Sequence, residues 1–150
     1  DFCLSRGLGD VYKRQELSTY IVSKCIKEDC PISNLQLQKI LYYIQKAFLD
    51  RGDRAFSDNI EAWQFGPVVP NVYDHYCGYG AMPISFSSIK YDVAKEDKQL
   101  IDSIVESKRV LAPWDLVEET HKKGGAWDKT YKNGSGSHEV IPTELIKAVG

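Results

Sequence analysis

An apolar stripe along one long segment most constrains how this chain can fold. Between residues 34 and 52 the sequence reads NLQLQKILYYIQKAFLDRG, with apolar side chains three or four positions apart. The residues of the stripe are Leu37, Ile40, Leu41, Ile44 and Phe48. This spacing predicts an α-helix with one apolar face, which other elements of the fold must cover.

The ends and the polar side of this helix can also be predicted. Ser33 or Asn34 is placed to cap the first turn, and Gly52 is placed to end the last. Four polar residues lie outside the stripe, namely Gln38, Lys39, Gln45 and Lys46. The segment is therefore predicted to be the strongest helix of the chain.

Weaker patterns predict the rest of a mainly α fold. Further helices are expected over residues 16–28, 69–76, 95–110, 113–121 and 142–149. Alternation before Gly66 and Pro67 predicts a short extended segment. The fold class that follows is a single compact helical domain with a small extended or β element around residues 56–66.

The first fifteen residues differ from the remainder. They read DFCLSRGLGDVYKRQ, with no helical period and no apolar core of a signal peptide. The portion LSRGLGDVYKRQ resembles translated sequencing-adapter DNA, so residues 1–15 are interpreted as a non-native or disordered tail. Residues 16–150 are expected to form the domain, with the last helix clipped at Gly150.

Composition excludes several classes of partner. The chain has 150 residues, 43% of them hydrophobic, and a formal net charge of −2. That balance gives no positive patch for nucleic acid or an anionic membrane. No apolar run approaches the length of a membrane span. The cysteines, without an export signal, indicate reduced thiols and a cytoplasmic location.

The candidate reactive residues match no known catalytic or metal signature. Cys25, Cys30, His75 and Cys77 are nominal metal ligands, but their spacings differ from those of zinc sites. Cys77 with His75 or His121 could form a thiolate–imidazole pair, yet CGYG is not a nucleophile motif. The glycines form no phosphate-binding loop. We therefore expect no enzyme activity, no catalytic or metal-binding residue and no cofactor.

Two binding hypotheses remain open on the residues alone. Residues 122–132 interleave lysines with Trp127 and Tyr131, as some single-strand binders do, although Asp128 interrupts them. The alternative is an exposed loop around a buried tryptophan. Protein recognition is favoured by aromatic residues in excess of the helical stripes. They are Trp63, Phe65, Tyr73, Tyr76, Tyr79, Trp114, Trp127 and Tyr131.

Three motifs, in order, resemble the Panacea-domain antitoxins, a family that includes SocA-like antitoxins and phage-associated GepA proteins. The first motif is matched by Leu35, Leu37, Gln38, Lys39, Leu41, Tyr42 and Tyr43. The second is matched by Ala62, Trp63, Gly66, Pro67, Val68, Pro70, Val72 and Tyr73. The third is matched by Thr120, His121 and Trp127, although Gly125 and Ala126 stand where the family often has proline.

The resemblance implies a non-enzymatic antitoxin that neutralises a neighbouring toxin by direct protein contact. Some SocA-like members deliver the toxin to the ClpXP protease, so ClpXP is a second implied partner. The motif residues are expected to serve the fold or the partner surface. The alternative function is a phage-associated regulatory protein that binds nucleic acid, which the acidic balance disfavours.

Overall fold

The computed structural model describes residues 11–87 and 90–150, and helices dominate these ranges. The helices are α1 (Arg14–Lys27), α2 (Asn34–Asp50), α3 (Pro70–Tyr76), α4 (Lys95–Lys108), α5 (Pro113–Thr120), α6 (Ala126–Tyr131) and α7 (Thr143–Val149). The strands β1 (Glu61–Trp63) and β2 (Gly66–Val68) pair as an antiparallel hairpin. The predicted mainly α fold with a small β element is confirmed.

Helix α2 lies at the centre of the fold. It packs against α1, α3, α4, α5, α7 and β2. Its apolar stripe is buried as predicted, but Gln38, Lys39 and Gln45 are buried too, with at most 1% of each residue exposed. The idea of a helix with one buried face was therefore wrong for α2, because neighbours cover it from several directions.

Local sequence signals account for the ends of α2 and α3. The Ser33 hydroxyl accepts a hydrogen bond from the backbone N–H of Gln36, whose side-chain oxygen accepts one from the Ser33 N–H. This capping box satisfies two N–H groups that the first turn leaves unpaired. After α2, Gly52 takes a positive φ of 83°. Pro70 occupies the first turn of α3, where its missing N–H has no helical partner to lose.

The hairpin is completed by a third short segment. Trp63 pairs with Gly66, so Gln64 and Phe65 form a two-residue turn at its tip. On the other edge of β1, the Ala62 N–H donates to Glu139 O at 2.8 Å, and the His138 N–H donates to Ala62 O at 2.7 Å. The extended element thus runs beyond the predicted segment, since its second strand begins at Gly66 and continues to Val68.

The beginning of the described chain is packed against the rest of the fold. Helix α1 begins at Arg14, and Tyr12 is buried, with its hydroxyl donating to a carboxylate oxygen of Asp97 at 2.7 Å. Residues 11–15 therefore contact the rest of the fold through Tyr12 and the start of α1. Residues 1–10 lie outside the described ranges, and a non-native origin for residues 1–15 stays a prediction.

Helix α6 was not predicted. It has only six residues, fewer than two turns, and such a helix is marginal on local propensity alone. Its Trp127 is 8% exposed and hydrogen-bonded to the hairpin, so tertiary contacts hold this helix in place. The interpretation of this region as an exposed loop was wrong for that reason, although the tryptophan is buried as that interpretation required.

Candidate functional site

The motif residues converge where α2, the hairpin, α5 and α6 meet. Twelve of them are buried: Leu37, Gln38, Lys39, Leu41, Tyr42, Ala62, Gly66, Pro67, Val68, Val72, Thr120 and Trp127. The other six are partly exposed: Leu35, Tyr43, Trp63, Pro70, Tyr73 and His121. Such burial leaves these side chains little surface for a partner, so the motif builds mainly the interior of the fold.

Lys39 lies against the hairpin and has no exposed surface. Its Nζ donates a hydrogen bond to Pro67 O at 3.2 Å. Gly66 has a φ of 113°, and a Cβ there would come within 2.7 Å of Lys39 Cε and 2.8 Å of Thr120 Oγ1. Only glycine fits this position without displacing its neighbours. Because water is excluded, burial lowers the pKa of Lys39 to about 7.

His121 is the first ring of a three-ring stack. Its imidazole lies parallel to the Trp127 indole with 3.6 Å between centroids, and Trp127 stacks on Tyr131 at 4.6 Å. Burial and then the positive charge of Lys39 lower the pKa of His121, while Asp128 opposes them. His121 Nε2 is buried, and no described residue is its hydrogen-bond partner. A neutral imidazole fits this enclosed position beside Lys39.

Trp63 connects this stack to the hairpin. Its carbonyl oxygen accepts a hydrogen bond from Trp127 Nε1 at 2.7 Å. Its own ring stacks on His138 at 4.5 Å and meets Tyr73 edge to face at 5.1 Å. The Trp63 indole N–H donates to a Glu61 carboxylate oxygen at 2.9 Å. The second and third motifs are therefore joined through one aromatic cluster.

Two amides fix the chain after the hairpin. Gln38 Oε1 accepts a hydrogen bond from the Val69 N–H at 2.9 Å, and Gln38 Nε2 donates to Asn34 Oδ1 at 2.9 Å. Asn34 Nδ2 in turn donates to Tyr73 O at 3.0 Å. Asn34 was considered only as a helix cap, so its link to α3 was missed. Its single signal in the sequence is a polar side chain four residues before Gln38.

An exposed aromatic pair lies beside this buried cluster. Phe65 at the hairpin tip is 46% exposed, and Trp114 in the first turn of α5 is 61% exposed. Their rings meet edge to face, 5.2 Å apart at an angle of 83°. Both residues belong to the excess of aromatics noted in the sequence, but neither was selected as a site residue, because their proximity depends on the tertiary fold.

The other candidate sites are not assembled. Cys25 is buried, Cys30 is partly exposed and Cys77 is exposed. Across residues 11–87 and 90–150, no three His, Cys, Asp or Glu side chains are grouped as a metal site would require. The Trp127 ring lies between the rings of His121 and Tyr131, so neither of its faces is free to stack on a nucleic-acid base.

The helices of the described residues differ from membrane-spanning helices. None of their helices combines the length and the apolar character needed to cross a bilayer. The longest of them, α2, has 17 residues and carries the polar side chains described above.

Comparison with known proteins agrees with the three motifs. The family model for the antitoxin SocA-like Panacea domain matches residues 37–128. The chain is also 32% identical over 135 residues to antitoxin SocA of Caulobacter vibrioides (strain NA1000 / CB15N), covering 81% of this chain and 71% of that protein. No solved structure matches the chain. The resemblance drawn from the motifs is confirmed, and the chain belongs to the SocA-like antitoxins of the Panacea-domain family.

Proposed function

We propose that this protein neutralises a toxin encoded beside it, by direct protein contact in the cytoplasm. Its membership of the antitoxin family supports the role, and the geometry of the site supports contact over catalysis. The observation that carries the proposal is the match of residues 37–128 to the SocA-like antitoxin family, and the complete burial of Lys39 argues against catalysis by its amine. A lysine with a pKa near 7 could act as a nucleophile or base only if a substrate could reach it.

The same geometry supports a scaffold for recognition. The buried motifs tie the hairpin and the start of α3 to α2, and α5 packs against α2 and β2, so the backbone that carries the surface side chains is held in place. Anchors that are rigid before binding lose less conformational entropy on association. Domains that share this interior can carry different surface side chains and so bind different toxins.

Co-expression tests the proposal directly. The protein encoded by the adjacent reading frame is induced in a bacterial host with and without this chain. We expect growth arrest by the toxin alone, rescue when both are present, and co-purification of the two proteins. Absence of both rescue and co-purification would reject the proposal.

Delivery to ClpXP is a second step that the family resemblance suggests. Direct binding must precede it, so the two mechanisms differ in the fate of the toxin. The amount of toxin is compared in hosts with and without ClpXP, each expressing this chain. Rescue that persists without ClpXP indicates steric inhibition, whereas loss of rescue with toxin accumulation indicates proteolytic delivery.

A further inference from the structure

We propose that Phe65 and Trp114 are the anchor of the toxin-binding surface, and that the toxin presents an apolar pocket rimmed by basic side chains. This inference rests on the proposed function, since it identifies where the neutralising contact is made. The two rings come from different elements, the hairpin tip and α5. Neither belongs to the buried cluster described above.

The ring pair has the composition and support of an interaction hot spot. Aromatic residues, tryptophan above all, dominate binding energy at protein interfaces. Phe65 lies in a two-residue turn whose strand is held from behind by Lys39 through Pro67 O. Its ring is held against Trp114 by the edge-to-face contact. The pair therefore offers a large apolar surface with little freedom left to lose.

Trp114 also differs from the other two tryptophans in its hydrogen bonding. The indole N–H groups of Trp63 and Trp127 donate to Glu61 and to the carbonyl of Trp63. For the Trp114 N–H, no described residue supplies an acceptor, and the side chain faces solvent. Buried indole N–H groups usually find a partner. An acceptor at the edge of the partner's pocket would provide one here.

The charges on α5 indicate which side chains the rim of the toxin's pocket carries. Asp115 and Glu118 follow Trp114 on α5 and are exposed, and neither forms an ion pair within the described part of the chain. Lys108, the basic side chain that reaches α5, is already paired with Glu119 at 2.9 Å. Glu118 follows Trp114 by four residues, which places its carboxylate on the same side of α5, and it remains free to pair with a partner. A basic partner surface complements it and excludes acidic ones.

Alanine substitution tests the anchor. The variants Trp114→Ala and Phe65→Ala are titrated with the toxin from the adjacent reading frame, and we expect each to bind at least about thirtyfold more weakly than wild type. Phe86→Ala is the matched control, because Phe86 is 65% exposed and lies outside the ring pair. We expect it to bind like wild type. Circular dichroism and thermal unfolding establish that each variant is folded.

The possible outcomes distinguish failure of the proposed binding surface from failure of the proposed function. If wild type neither binds the toxin nor rescues growth, the proposed function fails and the surface fails with it. If wild type binds and Trp114→Ala binds equally well, only the surface is wrong. If Trp114→Ala instead changes the chain's own oligomeric state and leaves toxin affinity unchanged, the pair is a self-association surface and the inference is also overturned.

Charge reversal tests the basic rim. Glu118→Lys is expected to slow association about tenfold at low salt, with the difference shrinking as salt is added. Glu96→Lys makes the same charge change at the end of α4 far from Lys108, and should have little effect. Equal association rates for Glu118→Lys and wild type would contradict a basic partner surface.

Discussion

Polar side chains buried on α2 hydrogen-bond to backbone groups of neighbouring segments. Gln45 Oε1 accepts from the Ala55 N–H at 2.7 Å, and its Nε2 donates to Phe56 O at 2.8 Å. Lys39 supplies one donor to Pro67 O but brings a charge into the interior. A neutral amide suits such a position better, because burial penalises an ionised group far more.

Replacing Lys39 should therefore stabilise the fold. Lys39→Met keeps the volume, and we expect the free energy of unfolding to rise by roughly 2 to 4 kcal/mol near pH 6, after about 1 kcal/mol is lost with the hydrogen bond. The folded pKa is about 7, below that of the unfolded chain. Wild type consequently gains stability as pH rises above 7. The difference in free energy of unfolding between Lys39→Met and wild type should therefore fall below about 1 kcal/mol near pH 9. Urea denaturation at several pH values measures this difference.

Lys46→Met is the control for that experiment. Lys46 is on the same helix but partly exposed, and its Nζ pairs with Asp50 at 3.1 Å. Removing such a pair changes stability by about 1 kcal/mol or less. A Lys39→Met variant that is no more stable than wild type near pH 6 would contradict the burial argument.

The hairpin depends on glycine at one position of its second strand. Gly66 combines a positive φ with close contact to Lys39 and Thr120. A side chain at this position would have to push both neighbours away. Both are buried, Lys39 on α2 and Thr120 on α5. The hairpin tip, where Phe65 lies, is therefore positioned by the packing beneath it.

Gly66→Ala should destabilise the fold by about 3 kcal/mol or more, because backbone strain and steric overlap add. Gly52→Ala measures the contribution of backbone strain alone. Gly52 has a φ of 83°, but a Cβ there would have nothing within 4 Å. We expect it to cost about 1 kcal/mol. Similar destabilisation of the two variants, measured by urea denaturation, would show that the contact with Lys39 relaxes easily.

Elements with strong local signals could be predicted from the sequence, and α2 illustrates why. Its stripe, its capping box and Gly52 all indicate the same helix, so local and tertiary preferences agree. Helix α6 has no comparable signal. It is held by Trp127, whose partners Trp63 and His121 lie in other elements, and a contact of this kind leaves no periodic trace in the sequence.

Across the whole molecule, the candidate site could be predicted only in part. The motifs identified the family and the residues of the buried cluster. They did not show that α2 is surrounded, which is why the burial of Lys39 was missed. The pairing of Phe65 with Trp114 could not be foreseen either, because it arises when the hairpin packs beside α5.

The start of the described chain is joined to distant parts of the fold through Tyr12. Its hydroxyl donates to Asp97 at 2.7 Å and accepts a hydrogen bond from the Ala94 N–H at 2.7 Å, at the start of α4. Its backbone N–H donates to Ala55 O at 2.8 Å. Asp97 is itself buried and paired with Arg51. One phenol therefore satisfies polar groups that water cannot reach.

Tyr12→Phe should lower the free energy of unfolding by roughly 2 kcal/mol, because the Ala94 N–H and one oxygen of Asp97 lose this hydroxyl as their partner. For a chain of this size the melting temperature should fall by about 4 to 8 °C. Tyr73→Phe is the matched control, since no described residue hydrogen-bonds the Tyr73 hydroxyl, and its ring contact with Trp63 is kept. Equal melting temperatures for Tyr12→Phe and wild type would mean that the hydrogen bonds of the Tyr12 hydroxyl contribute nothing measurable to the stability of the domain.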